Sequence, residues 1–168
     1  MKLTSLLLGV LYGGALLAQD PLVAENKLLY EGIRNNIIRA AEKMPEDKYN
    51  YKPTPEVRSF AGLIGHISDA QYLFCSPVKG EKKSLGIEKS KSTKAELTAA
   101  VKDAFAYCDS AYEGLSDARA RETVKFFGRD RSKLNVLYFN SAHNNEHYGN
   151  IVTYMRLNGL VPPSSERR

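Results

Sequence analysis

His143 and His147 stand four positions apart in the stretch His143-Asn144-Asn145-Glu146-His147. On a helix, that spacing sends both imidazoles from one face, with Cβ atoms about 6 Å apart. Two neutral imidazoles so placed can share a divalent ion, as they do in helical zinc motifs. The chain has three histidines, and the third, His66, lies in a separate segment with helical periodicity. Three imidazoles fix three corners of a tetrahedron or one face of an octahedron. The remaining positions stay open, which is the pattern of catalytic rather than structural zinc. Zinc, nickel, copper and ferrous iron all accept such donors. The competing reading is a surface pair or a hydrogen-bonded core pair with no ion. All three histidines fall on or beside inward helical faces, which favours the metal. Metal binding needs deprotonated imidazoles, so occupancy is expected to fall below about pH 6.

Residues 143–147 also match H-x-x-E-H, the inverted zinc-protease pattern. That scheme needs a further ligand downstream, and Tyr148 to Arg168 contain neither Asp nor His. Glu146 sits about 60° around the helix from His143, so a solvated carboxylate fits better than a protease base. Asn140, three residues before His143, can orient an imidazole or bind water. Gln71 and Tyr30 are weaker candidates, better read as hydrogen bonds at the bundle edge. Ser59 is explained as a helix N-cap. No catalytic residue is assigned.

Four amphipathic helices must position these side chains. The first spans about Ala24 to Met44, with Leu29, Ile33, Ile37, Ala40 and Met44 as its stripe, and Pro45 ends it. Pro45 to Arg58 reads as an ordered, extended connector that Tyr49 and Tyr51 can pack onto the bundle. The second helix starts near Ser59, carries Phe60, Leu63, Ile67, Ala70 and Phe74 inward, and ends at Pro77 and Gly80. A long polar loop runs to about Ser92. Thr93 and Glu96 form a capping box for a third helix carrying Leu97, Val101, Ala104, Cys108, Ala111 and Leu115. Thr123 to Gly128 fits either a short strand or a packed loop. The fourth helix runs from about Ser132 to Asn158, with Val136, Phe139, Asn140, His143, His147, Ile151 and Tyr154 along one face. Asn158 and Gly159 give a left-handed stop before Pro162 and Pro163. The fold class is therefore all-α, a four-helix bundle with one long crossover loop.

Residues 1–18 read as a secretory signal peptide: Lys2, an apolar stretch from Leu6 to Leu17, and a small residue, Ala18, at the cleavage point. An uncleaved anchor is the alternative, but the segment is short and broken by glycine. No later segment is apolar enough to span a membrane. Residues 19–23 form a lead, 24–160 the bundle and 161–168 a flexible tail. The formal charge of +5 is spread among alternating acidic and basic residues. The cluster Lys79, Lys82, Lys83, Lys89 and Lys91 fits a solvated connection, and nothing resembles a nucleic-acid binder. Cys75 and Cys108 are the only cysteines. In an exported chain they can form one disulfide, while the apolar stripe around Cys108 also fits a buried free thiol.

Taken in order, several stretches resemble the DinB/YfiT-like superfamily. These are Met44-Pro45-Glu46-Asp47-Lys48-Tyr49, Tyr51-Lys52-Pro53, Arg58-Ser59-Phe60-Ala61-Gly62-Leu63-Ile64-Gly65-His66-Ile67, the His143/His147 pair, and Gly149 through Gly159. The resemblance covers nearly the whole mature chain. It implies a four-helix bundle of unusual helix order and a divalent ion, zinc or nickel, held by His66, His143 and His147. It also implies association as a homodimer through helix faces. Some relatives are thiol-dependent transferases or isomerases; an export signal separates this chain from those cytosolic enzymes.

The leading expectation is an exported, periplasmic or secreted, metal-dependent hydrolase or group transferase acting on a small molecule. The alternative is a non-catalytic bundle that binds a metal or small ligand. A structural helical module is the remaining possibility.

Overall fold

The structure is a computed structural model and describes residues 21–166. The signal-peptide reading of residues 1–18 lies outside the described residues, as do Arg167 and Arg168. Four long helices carry the fold: α1 (Pro21–Lys43), α2 (Phe60–Lys79), α4 (Lys94–Tyr112) and α6 (Lys133–Leu157). Between them lie two one-turn helices, α3 (Ile87–Ser90) and α5 (Asp117–Ala120), and an antiparallel hairpin, β1 (Thr123–Phe126) and β2 (Arg129–Ser132). Helix α2 packs against α4 and α6, and α1 packs against the same two. The bundle is all-α in its core, as the periodicity predicts.

Local chemistry sets the boundaries. The Ser59 hydroxyl accepts from the Gly62 amide at 3.1 Å and opens α2. Thr93 and Glu96 form the expected reciprocal cap on α4. Ser132 caps α6 by accepting from Asn135 at 3.1 Å, so β2 runs directly into the longest helix. At the far end Gly159 adopts φ 71°, and the Leu160 amide donates back to Met155 at 2.9 Å. Asn158 keeps a negative φ of −100°, so the left-handed stop belongs to Gly159 alone.

Several expectations are corrected. Pro77 lies inside α2, which continues to Lys79 and stops at left-handed Gly80. Proline there forfeits the amide that would bond the Leu73 carbonyl, and the helix ends within a turn of it. Leu29 is 53% exposed, and Tyr30 takes its place in the α1 core stripe. Of the two alternatives for Thr123–Gly128, the strand is the one formed, paired with Arg129–Ser132 as a hairpin. The cysteines are joined: Cys75 and Cys108 tie α2 to α4 with Cα atoms 5.3 Å apart, fully buried. The tail is docked as far as residue 166. Pro163–Ser165 forms a 3-10 turn, Ser164 meets the Tyr148 hydroxyl, and Glu166 pairs with Arg39 and Lys43 of α1.

The connector Pro45–Arg58 is ordered by its aromatics but is not extended throughout, since Glu46–Lys48 form a 3-10 turn. Tyr49 is buried and donates to the Ala41 carbonyl, and Tyr51 stacks edge-on against Tyr154. The polar loop after α2 folds back onto that helix. Asp69 accepts from the Ile87 and Glu88 amides at 2.8 and 3.0 Å, capping α3. Gly65 permits the contact: a Cβ there would lie 2.7 Å from the Glu88 Cα. Any side chain at position 65 would push α3 off the bundle. No helix among the described residues is long and apolar enough to cross a membrane.

Candidate metal centre

His66 comes from the middle of α2; His143 and His147 come from successive turns of α6. The α2–α6 contact brings them together. His66 Nε2 lies 3.2 Å from His143 Nε2, which lies 3.1 Å from His147 Nε2. One ring nitrogen from each falls within a 4.8 Å spread. Metal–imidazole bonds of about 2.0–2.1 Å place two nitrogens on one ion roughly 3.0–3.4 Å apart, at tetrahedral or octahedral angles. The observed separations fit that window. The three residues named from sequence are therefore the three the fold brings to one point.

Burial sets their charge state. His143 has its pKa pushed down to about 3, first by desolvation and then by the two neighbouring imidazoles. His147 and His66 are also lowered, again mainly by desolvation. Burial thus favours the neutral form at all three, the form that offers a lone pair. Protons compete with an ion only at pH values below the ordinary imidazole range.

The same shifts make a stability prediction for the metal-free protein. An unfolded His143 takes up a proton below about pH 6.5, whereas the folded one resists protonation down to about pH 3. Stability should be constant above about pH 6.5 and decline as pH falls toward 3. After discounting for residual solvent, the loss is about 2 kcal/mol. Urea unfolding across that range checks it; a flat profile would contradict the burial of His143.

Glu88 and Arg58 were not found from sequence. Glu88 Oε2 lies 3.4 Å from His66 Nδ1, and its other oxygen accepts from Arg58 Nε at 2.8 Å. A carboxylate behind a ligating imidazole fixes its tautomer and raises its basicity. The one available signal was Gly65, immediately before His66, which admits the Glu88 turn. Glu88→Gln is expected to weaken metal affinity about tenfold, read by competition with a coloured chelator. The Nδ1 atoms of His143 and His147 have no such partner and are buried.

Asn140 does not reach an imidazole. Its amide donates to Gln71 Oε1 at 3.0 Å and lies 3.2 Å from Cys108 Sγ. Gln71 donates to Asn144 Oδ1 at 2.8 Å, and Asn144 donates to Asn140 at 3.1 Å. This closed ring of three buried amides joins the disulfide to the α6 turns that bear the ligands. Tyr30 donates to the Phe105 carbonyl at 3.2 Å, within the core. Glu146 is exposed, as its helical angle predicts.

The trio opens on two sides. One cleft, of about 530 Å³, is polar and lies beside His147, with Arg58, Glu88, Glu146, Asn150 and Tyr154 in its walls. The other, of about 360 Å³, is apolar and lies beside His66 and His143, with Leu73, Phe74, Phe127 and Phe139 around it. The Phe74 ring meets the His143 ring edge-on at 5.1 Å.

A helical bundle with three imidazoles converging from two helices defines a known class, and the sequence falls within it. The DinB superfamily profile matches residues 29–151, and the chain belongs to that superfamily. It is 25% identical to the uncharacterized protein YjoA of Bacillus subtilis, over 83% of this chain and 91% of that one. The YjoA crystal structure superposes with a TM-score of 0.69 at 23% identity, covering 88% and 99% of the two chains. A DinB-like protein from Bacillus cereus superposes with a TM-score of 0.73 at 15% identity, covering 83% and 95%. A mycothiol-dependent maleylpyruvate isomerase gives 0.66 at 15% identity, covering 77% of this chain and 60% of that one. At these identities the structural likeness concerns the fold alone.

Proposed function

We propose that this protein is an exported metal-dependent enzyme, a hydrolase or group transferase acting on a small molecule, with zinc or nickel held by His66, His143 and His147. The observation that carries the reading is the convergence of three neutral Nε2 atoms at 3.1 and 3.2 Å, with open space on two sides. A bound ion would supply Lewis acidity toward a carbonyl or an attacking water. The chain's own groups do the rest. Glu88 holds His66 in register, and Phe74 packs against His143 and limits water on the apolar side. Two solvated carboxylates, Glu56 and Glu146, stand in the wall of the polar cleft, and no single one is assigned as a catalytic base.

Export is supported by the charged and apolar pattern of residues 1–18 and by the Cys75–Cys108 bridge, since disulfides persist in oxidising compartments. An oxidising compartment also lacks the thiol pool of the cytosol, which favours hydrolysis over thiol-dependent transfer. The alternative is a bundle that binds without turnover. It is favoured by the engagement of Glu88 with Arg58 and His66 and of Asp69 with two backbone amides.

The deciding experiment purifies the chain from an exporting host, measures its mass and metal content, and assays it against a panel of ester, amide and lactone substrates. One ion per chain with turnover lost on chelation supports the enzyme. One ion without turnover across the panel supports the binder. An intact leader in the exported protein ends the signal-peptide reading.

A further inference from the structure

Leu73, Phe127 and Phe139 are 47%, 64% and 45% exposed, and all three stand around the apolar cleft beside His66 and His143. Phe127 is held there at a conformational cost. It occupies the hairpin turn with φ 47°, followed by Gly128 at φ 73°. Two consecutive positive φ values suit Asn-Gly or Gly-Gly, and an aromatic side chain rarely adopts the first of them. The result is a ring 6.3 Å from that of Phe74 and 6.1 Å from that of Phe139.

Phe127 and Phe139 also wall a second hollow, shared with Arg129 and Arg131. These arginines are two apart on β2, so they share a face of the hairpin with their register partners Phe126 and Val124. The hairpin's ion pair, Lys125 with Asp130, belongs to the opposite face. Among the described residues neither arginine has a salt-bridge partner. At the trio end of the apolar cleft the one charged side chain in the wall apart from the histidines is the carboxylate of Asp69.

We infer that the two hollows form one substrate-binding subsite for an amphipathic organic anion. An aromatic or acyl body lies along Phe74, Phe127 and Phe139, and a carboxylate lies against Arg129 and Arg131. The end that reaches the histidines carries the reacting group. In the metal-free chain Asp69 disfavours the reverse orientation. The assignment of a reacting end rests on the proposed metal-dependent activity; the binding itself does not.

The test is calorimetric titration of the full chain, metal-loaded and metal-free, with phenylbutyrate, its neutral analogue phenylbutyramide and the cation phenylbutylamine. The carboxylate should bind about fivefold tighter than the amide, and the amine weakest. Arg129→Gln with Arg131→Gln should level carboxylate and amide. Phe127→Gly relieves the turn, so it folds at least as well, yet it should weaken carboxylate and amide alike by about tenfold. Equal binding of carboxylate and amide by the metal-free native chain overturns the inference, as does a preference that survives the double arginine substitution in the metal-free chain, where no ion draws the carboxylate. So does a ligand-free dimer that Phe127→Gly dissociates, because the patch is then a self-interface. Discrimination retained in a protein that binds no ion leaves the subsite standing and removes only the metal-dependent activity.

Discussion

His143→Ala should abolish the metal binding proposed for the histidine trio. His143 Nε2 is the atom that both other imidazoles approach, so its loss leaves two donors that no longer share a neighbour. Even outer partners of metal ligands contribute ten- to a hundredfold in affinity, so removing a ligand should cost at least about a hundredfold. Elemental analysis and chelator competition read this directly. A second consequence is thermal. An ion present at about a hundred times its dissociation constant adds about 2.7 kcal/mol to the native protein, a rise of roughly 5–10 °C for a chain of this size. That rise should vanish in His143→Ala while the helical signal of the apo protein persists. A variant that kept full occupancy and the full thermal shift would show that the ion sits elsewhere.

The Cys75→Ala, Cys108→Ala double variant should lose about 3–4 kcal/mol of stability. The bridge spans 33 residues and closes the whole α2–α3–α4 excursion, whose freedom in the unfolded chain it restricts. For a chain of this length that corresponds to roughly 10 °C in melting temperature. The effect should extend to the metal centre, because Asn140 touches both sulfurs and hands its order through Gln71 to Asn144, next to His143. Thermal melts of the native chain with and without reductant should reproduce the shift. An unchanged melt would mean that the bridge does not restrain the chain as the fold implies.

The trio was legible because it is written in short-range terms. Histidine is scarce, the 143/147 spacing fixes a helical face, and His66 borders a second apolar stripe. The helices and their caps were legible for the same reason, since Ser59, Thr93 with Glu96, and Gly159 act on neighbours a few residues away. Glu88 was not legible. It lies in a polar loop, and its approach to His66 depends on Asp69 capping α3 and on the absence of a Cβ at Gly65. Neither dependence leaves a periodic trace. The disulfide was undecided for a similar reason: Cα separation across two helices is a tertiary quantity. Leu29 and Tyr30 exchanged roles because an i, i+4 stripe tolerates a one-residue rotation, and Tyr30 can place its hydroxyl on the Phe105 carbonyl. The docked tail escaped notice because Glu166 meets Arg39 and Lys43, partners more than a hundred residues away.

His66 and His143 are separated by 77 positions along the chain. No fragment containing only one end of the polypeptide can therefore assemble the donor set. An ion held by all three imidazoles would require the last long helix to be docked onto the second, and would act as a latch on that contact. Native-state hydrogen exchange should slow most on the facing turns of α2 and α6 when the ion is added. Chelation would then act less like removing a reagent than like unfastening the bundle.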